Sequence, residues 1–356
     1  MEKSSGKKRR RNPLVVGVAA LVLLVIVAVP GLWWLARNQV SVAVASAQRD
    51  AAREGIMLDH EGLSFSGFPL YISAAVANPK ADWAEGLWRG PESMTGETSF
   101  TDPTNIRFNA SGRHVLDVGT LSFTADSQEA LAVLDVGQQG PEALQASLRD
   151  TALQLAGGLG VDLGDARLQS LDLFAAPLSP LTNASQATNV SLDLAGLSLP
   201  QALGARLPEM GTTIEEGSLR AVLSGPLTPG PPPSMLQAWR QGGGVLRLQQ
   251  LTLTWGPVAL EARGTLGLDD RLRIEGTLDL QIAGFPTLLN SLAALSILDR
   301  SIARNYGGLL GGMARPRNGK QGRWLSIPLI FQDGQAFLRL PFAKIPVARL
   351  QPLVRI

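Results

Sequence analysis

The stretch Val245–Ile282, VLRLQQLTLTWGPVALEARGTLGLDDRLRIEGTLDLQI, decides how this chain is read. Leu246, Leu248, Leu251, Leu253 and Trp255 alternate with polar residues until Gly256-Pro257 turns the chain. Leu260, Ala262, Gly264, Leu266 and Leu268 alternate next, up to Asp269-Asp270, and Leu272, Ile274, Gly276, Leu278, Leu280 and Ile282 form a third run. Successive side chains of a strand point to opposite faces, so a period of two gathers the leucines on one side. Three such runs joined by short turns predict an antiparallel meander with one apolar and one polar face. Burying a leucine is worth ~1.5–3 kcal/mol, so something must cover that face. The predicted covers are Phe285–Leu298 and Ser301–Met313.

Toward the C-terminus, Trp324–Phe331 and Gln335–Phe342 flank Asp333-Gly334, a hairpin signal. Between them and the covers, Met313–Arg323 is basic and polar and is expected to be mobile. Toward the N-terminus, Gly225–Ser234 (GPLTPGPPPS) reads as a linker between residues 36–225 and 226–356, two halves of the β-rich part or one continuous domain. The run Arg167–Leu173 echoes Arg247–Leu253, and Ser191–Leu197 echoes the segment from Thr277, which leaves a duplication open. Residues Gln139–Leu155 read as a helix with Leu144, Leu148 and Leu153 on its apolar side. Strands are expected near 104–110, 114–125 and 130–135, and 78–103, rich in Pro, Gly and Trp, reads as an ordered loop. Gly67-Phe68-Pro69 breaks two alternating runs and predicts a hairpin.

The N-terminal end has a different character. Lys3, Lys7, Lys8, Arg9, Arg10 and Arg11 precede Pro13 with only Glu2 opposing them, and then Leu14–Leu35 runs for 22 residues without a charge. As a helix of ~1.5 Å per residue this segment spans the ~30 Å of a hydrocarbon layer. The basic tail, residues 1–13, predicts a cytoplasmic N-terminus, with Arg9, Arg10 and Arg11 at the inner membrane interface. Trp33 and Trp34 are placed at the outer interface, where aromatic belts lie. A cleaved signal peptide ending at Ala45-Ser46-Ala47 is the rival, but the apolar run exceeds the usual ~7–15 residues and the site lies well beyond it. A retained anchor is therefore expected. Asn38–Glu54 continues its helix to Gly55, with Val40, Val44, Ala47 and Ala51 as a packing stripe. The fold class expected overall is α+β, mostly β: an N-terminal transmembrane helix, then a large curved antiparallel sheet with a few covering helices.

Chemistry is harder to find. The 356 residues contain no cysteine and two histidines, which removes thiol catalysis and the usual zinc sites. His60 lies between Asp59 and Glu61 and reads as a solvated loop residue, and His114 as a strand-edge residue. Gly62-Leu63-Ser64-Phe65-Ser66-Gly67 misses the nucleophile-elbow pattern by one residue and lies in a strand-like segment. Gly307, Gly308, Gly311 and Gly312 give small-x-x-x-small spacings, read as close packing of a short helix on the sheet, with a lipid-touching element as the alternative. Asn109, Asn183 and Asn189 begin Asn-x-Ser sequons that carry meaning only in a eukaryotic secretory setting. Outside the tail, 26 basic residues face 29 acidic ones, so there is no basic surface for nucleic acid. No catalytic residue, cofactor or metal ligand is assigned.

The basic tail with its anchor, the GFPL segment at Gly67–Leu70, the motifs Trp255-Gly256-Pro257, Gly264-Thr265-Leu266 and Gly276-Thr277-Leu278, and the closing DGQAFLRLPF at Asp333–Phe342 carry a resemblance over most of the chain. The chain resembles the domain of unknown function 2125 family, uncharacterised alphaproteobacterial membrane-anchored proteins. More distantly, its strands are similar to those of AsmA-like envelope proteins, which implies a curved sheet and a link with lipid traffic and membrane homeostasis. Neither resemblance implies catalytic residues. Two functional readings follow side by side for a single-pass protein of the bacterial inner membrane with its bulk in the periplasm. One is a non-enzymatic module that binds or handles lipid or another apolar ligand; the other is a structural or assembly partner of envelope proteins.

Overall fold

A computed structural model of the chain describes residues 13–84, 86–119, 121–137, 140–156, 164–178, 187–226, 232–295, 300–340 and 344–353, without the side chains of 13–32, 155, 232–233, 300–306 and 348. Alternation dominates it. The meander read from Val245–Ile282 is present as β14 (Val245–Trp255), β15 (Val258–Leu268) and β16 (Ile274–Ala283), each antiparallel to the next. Leu272 lies in the β15–β16 turn with φ 55°, not in the strand, and is 1 % exposed. Asp269 builds that turn by accepting hydrogen bonds from the backbone N–H groups of Arg271 and Arg273, both 2.9 Å, and from Arg273 Nε at 2.7 Å.

The same meander extends over the whole described chain. Its first part consists of β1 (Ile56–Asp59), β2 (Gly62–Ser66), β3 (Tyr71–Ala77), β4 (Lys80–Trp83), β5 (Gly86–Arg89), β6 (Ser93–Ser99), β7 (Asn105–Asn109) and β8 (Gly112–Val118). These eight are four long strands, each interrupted once. The pairing of β2 with β3, from Ser66↔Ser73 to Gly62↔Ala77, continues in register as Asp59↔Lys80 to Ile56↔Trp83 between β1 and β4. The partners of β5–β8 and β6–β7 are likewise in one register. The interruptions fall side by side at His60-Glu61, Asn78-Pro79, Gly90-Pro91-Glu92 and Ala110-Ser111, and in the second and third of them a proline lacks the N–H that a regular ladder needs. The expected loop over 78–103 is therefore corrected to strands; its Pro and Gly residues mark breaks within strands.

Then follow β9 (Leu121–Gly137), which pairs with both β7 and β8, β10 (Gly140–Ala156), β11 (Gly164–Pro177), β12 (Ala187–Ser198) and β13 (Thr213–Ser224). Each pairs with its neighbour in sequence, and β13 pairs with β14 across the proline-rich segment. The C-terminal part adds β17 (Arg315–Arg317), β18 (Lys320–Gln332), β19 (Gln335–Arg339) and β20 (Lys344–Arg349), with β18 paired to β16. Asp333 (φ 53°) and Gly334 (φ 73°) form the expected two-residue hairpin between β18 and β19. Met313–Arg323 closes a β17–β18 hairpin instead of a mobile segment. The echoed runs do not correspond in topology: β11 and β12 pair directly, whereas β14 and β16 flank β15.

The expected helix over Gln139–Leu155 is a strand, β10, and the reason is a seam. Gln128, Asp150, Gln169, Gly196 and Glu215 stand side by side on five successive strands, and at each the regular pairing skips one residue. The positions on the apolar face therefore step by three there, as from Leu148 to the buried Thr151 and from Leu168 to Leu171, and that spacing mimics a helix. Asp150 (φ 48°) and Gly196 (φ 63°) take the left-handed conformations the seam requires.

Among the described residues five helices join the strands: α1 (Pro13–Arg53), α2 (Gln201–Gly204), α3 (Pro232–Gln241), α4 (Phe285–Ala294) and α5 (Arg300–Met313). α1 ends where expected, with Gly55 at φ 80° just beyond it, and packs on β1 and β3. Among the described residues no helix is long and apolar enough to cross a membrane. The side chains of residues 14–32, which make up most of the expected span Leu14–Leu35, lie outside them, as do Arg9, Arg10 and Arg11.

Candidate functional site

Strand registers align one apolar row across nine strands: Ala130, Leu148, Leu171, Leu194, Gly217, Leu253, Leu260, Ile282 and Leu325. Rows on either side repeat the pattern, so one face of the sheet is apolar along its length. What changes along it is the cover. From β13 to β20 the face joins a buried cluster with Leu207, Met210, Phe285, Leu289 and Leu310, contributed by the α2 region, α4 and α5. At the other ends of these strands, Trp239 of α3 packs on Leu268 and Leu272 and donates from Nε1 to the Ser224 carbonyl at 2.9 Å. The two segments expected as covers thus lie over the face they were expected to cover.

The cover is imperfect. Between α4, α5 and β15–β20 lies a cavity of about 160 Å³ lined by fourteen residues, every one Leu, Ile, Val or Phe, among them Leu260, Leu280, Leu288, Leu292 and Val347. An apolar cavity of ~150 Å³ stays free of water and accepts small apolar molecules, because water there would lack polar partners. Whole-ligand pockets run to ~300–1,000 Å³, so this cavity has room for only part of a molecule of that size. From β1 to β12 the same face enters neither buried cluster. Every residue of β12 is half-buried, and Phe108 (36 % exposed) and Phe123 (38 %) keep much of their rings open. Ser127 and Thr151, at the seam, satisfy each other through a hydroxyl pair at 2.9 Å and so bring no unpaired polar group into this face.

The opposite face is polar. Arg149 reaches Asp172 at 2.6 Å, Arg220 reaches Asp193 at 2.9 Å, and Asp172 and Asp193 are direct cross-strand neighbours that each arginine keeps from repelling the other. All four are half-exposed, and such pairs contribute ~0–1 kcal/mol each. Further along, Glu261 of β15 receives Arg317 at 2.7 Å and Lys320 at 3.0 Å from the β17–β18 hairpin. Burial raises the cost of ionising Glu261, but the two cations outweigh it and hold its carboxyl below the usual range. Asp269 is likewise opposed by burial and held low by Arg273 and the two backbone N–H groups. Both sites serve structure: they pin a hairpin and a turn.

Comparison with known protein families matches residues 33–351 to the family described as "Uncharacterized protein conserved in bacteria (DUF2125)". The chain belongs to this family. No curated protein and no solved structure matches it. The family match begins at Trp33, so it takes in the C-terminal half of α1 and the whole described sheet.

Within this DUF2125 chain the residues singled out from the sequence are dispersed. Trp33 is half-buried and meets Phe68 edge to face at 5.9 Å, and Trp34 is 64 % exposed. His114 bonds the Ala110 carbonyl through Nε2 at 2.7 Å and stacks on Trp88, while Ser64 pairs with Ala75 inside the β2–β3 ladder. His60 falls at the first strand interruption. Among the described residues no group of three or more His, Asp or Glu is placed to hold a metal ion. The glycines of α5 do not give the close packing expected of them: a Cβ at Gly307, Gly308 or Gly312 would stand in open space, and at Gly311 it would lie 3.8 Å from the Phe285 ring. What the sequence did not reveal was the cavity, which depends on how α4 and α5 sit on the sheet, and the Glu261 cluster, whose members are some 56 residues apart.

Proposed function

We propose that the protein is a non-enzymatic, membrane-anchored module whose apolar sheet face takes up lipid or another apolar ligand in the bacterial cell envelope. The observation that carries this reading is the continuity of the apolar face. It runs beneath the α4–α5 cover, where the all-apolar cavity lies, and onward to β12 and beyond without comparable burial. A sheet that needed only a core would cover this face or end it, since large exposed apolar surface marks interaction sites. The anchoring part of the proposal rests on α1, helical from Pro13 to Arg53 and free of charge from Leu14 to Leu35, with the basic tail before it. That arrangement supports a single pass through the inner membrane, N-terminus cytoplasmic and sheet periplasmic. The distant likeness to AsmA-like envelope proteins points the same way.

The test is to purify the full chain from its native membrane in lipid-preserving polymer and exchange it into detergent. Bound lipid is then extracted for mass spectrometry, alongside a Leu260→Trp variant that fills the cavity. Co-purifying apolar ligand in the first and a reduced amount in the second is expected. Native chain that emerges without ligand and takes up no fluorescent fatty acid would refute the reading. The second reading, an assembly partner of envelope proteins, is favoured by the sheet edges: among the described residues β20 pairs only with β19, and the β1–β2 strand only with β3–β4. An open edge accepts an added strand from a partner.

A further inference from the structure

Four large apolar side chains are exposed together at one end of the first strands: Phe68 (52 %), Leu70 (74 %), Tyr71 (40 %) and Phe100 (40 %). Backbone hydrogen bonds hold them as a unit. The Leu70 and Tyr71 N–H groups donate to the Gly67 carbonyl at 3.2 and 3.1 Å, closing the turn that carries Phe68. The Phe100 N–H donates to the Leu70 carbonyl at 3.3 Å, which ties the β6–β7 loop against that turn. Ordinary hairpin tips are polar, because they project into water.

The course of α1 says what meets this patch. Its C-terminal end reaches β1 at the far end of the first strand, and it runs back along that strand until Trp33 meets Phe68 at 5.9 Å. Twenty residues at ~1.5 Å each make that return about 30 Å. The charge-free segment therefore leaves the sheet at the patch and not at the opposite end, and exposed Trp34 lies beside the exit.

We infer that Phe68, Leu70, Tyr71 and Phe100 insert into the interface of the lipid leaflet from which α1 emerges, so that the apolar face begins in contact with the bilayer. The inference rests on the anchored reading above and adds to it an orientation and a port. Trp33 and Trp34 would then share one interfacial level with the patch, as aromatic belts do. The contact is apolar and not directed at charged headgroups, since neither 67–70 nor 100–104 carries Lys or Arg and Asp102 lies in the second loop. Ile72 and Ala74, on the apolar face directly behind the turn, continue the path inward.

The chain has no cysteine of its own, so single-cysteine variants of the full protein report one position each. Leu70→Cys, Phe100→Cys, Met57→Cys at the far end (71 % exposed) and Val22→Cys in the apolar run are labelled with a polarity-sensitive fluorophore. They are reconstituted in phosphatidylcholine vesicles carrying a headgroup-level nitroxide. The labels at 70 and 100 are expected to be quenched several times more strongly than that at 57, unchanged when half the lipid is phosphatidylglycerol. Equal exposure at 70, 100 and 57 with the label at 22 in hydrocarbon overturns the inference and leaves the anchor standing. A label at 22 in water overturns both, and quenching that requires phosphatidylglycerol overturns the apolar contact in favour of headgroup recognition.

Discussion

Leu310→Ala tests whether α5 is a packed cover or a loosely laid strap. Leu310 is 1 % exposed, stands in the wall of the cavity and belongs to the same cluster as Leu325 and Ile327. Removing its three terminal carbons forfeits roughly 2.5 kcal/mol of transfer free energy at ~0.8 kcal/mol per methylene. The void left behind adds to this, up to ~5 kcal/mol in total where neighbours do not close in. Because the new void opens into an existing cavity of about 160 Å³, the walls already lack some contacts, and ~3 kcal/mol is the expected loss. The assay is the midpoint of urea unfolding of the full chain in mild detergent, with the neighbouring Leu309→Ala (40 % exposed) expected within ~0.5 kcal/mol of the parent. Added fatty acid should return part of the loss, because a ligand that binds only the folded state stabilises it by RT ln(1 + [L]/Kd). Equal effects of the two substitutions would refute the packed cover, and a Leu310→Ala chain insensitive to fatty acid would count against ligand in the cavity.

Other perturbations separate strain, space and charge. Gly276→Ala would drive a methyl group into the Thr265 carbonyl at a backbone φ of 134° and should cost roughly 1–3 kcal/mol in the same urea assay. Gly308→Ala, in the interior of α5 with open space at its Cβ, should instead stabilise by up to ~1 kcal/mol. Asp150→Val puts a β-branched residue at φ 48° in the seam and should destabilise by ~1–2 kcal/mol, measurable as earlier unfolding of the β9–β12 region by hydrogen exchange. Glu261 and Asp269 both have carboxyls held below the ordinary range, so their stabilisation is complete above the unfolded-state pKa of ~4 and is lost as the pH falls through the lower folded-state values. Thermal unfolding should be flat from neutrality to about pH 5 and fall below it, and Glu261→Gln with Asp269→Asn should flatten the acid limb; an unaltered limb would assign it to other carboxylates.

The meander was legible where each strand obeys a strict alternation, as in Val258–Leu268 and Ile274–Ala283, since there the backbone pleat alone writes the pattern. It was illegible where two regular runs meet out of phase. In β10, Leu148 and Thr151 are on one face only because Asp150 adopts a positive φ, and nothing in LRDT distinguishes that from a helical turn. Pro79 and Pro91 misled in the opposite sense, because a proline at a strand interruption looks like a loop residue until the partner strands are known. The apolar face could be read from leucine spacing, but its division into a covered and a half-open part depends on where α4 and α5 come to rest, which is long-range packing. The ion cluster at Glu261 needs the β17–β18 hairpin folded across β15, a juxtaposition no local pattern encodes.

Every strand from β9 to β15 hydrogen-bonds to the one translated just before it and the one just after. Such a ribbon can grow tooth by tooth as the chain is made, without waiting for distant chain to arrive. It also makes length a free variable of the architecture: β10 ends on the same side at which β13 begins, so excising β11 and β12 together would join two ends that already face the right way. A protein built like this can be tailored, by ancestry or by design, into a longer or shorter sheet while keeping every remaining hairpin as it was.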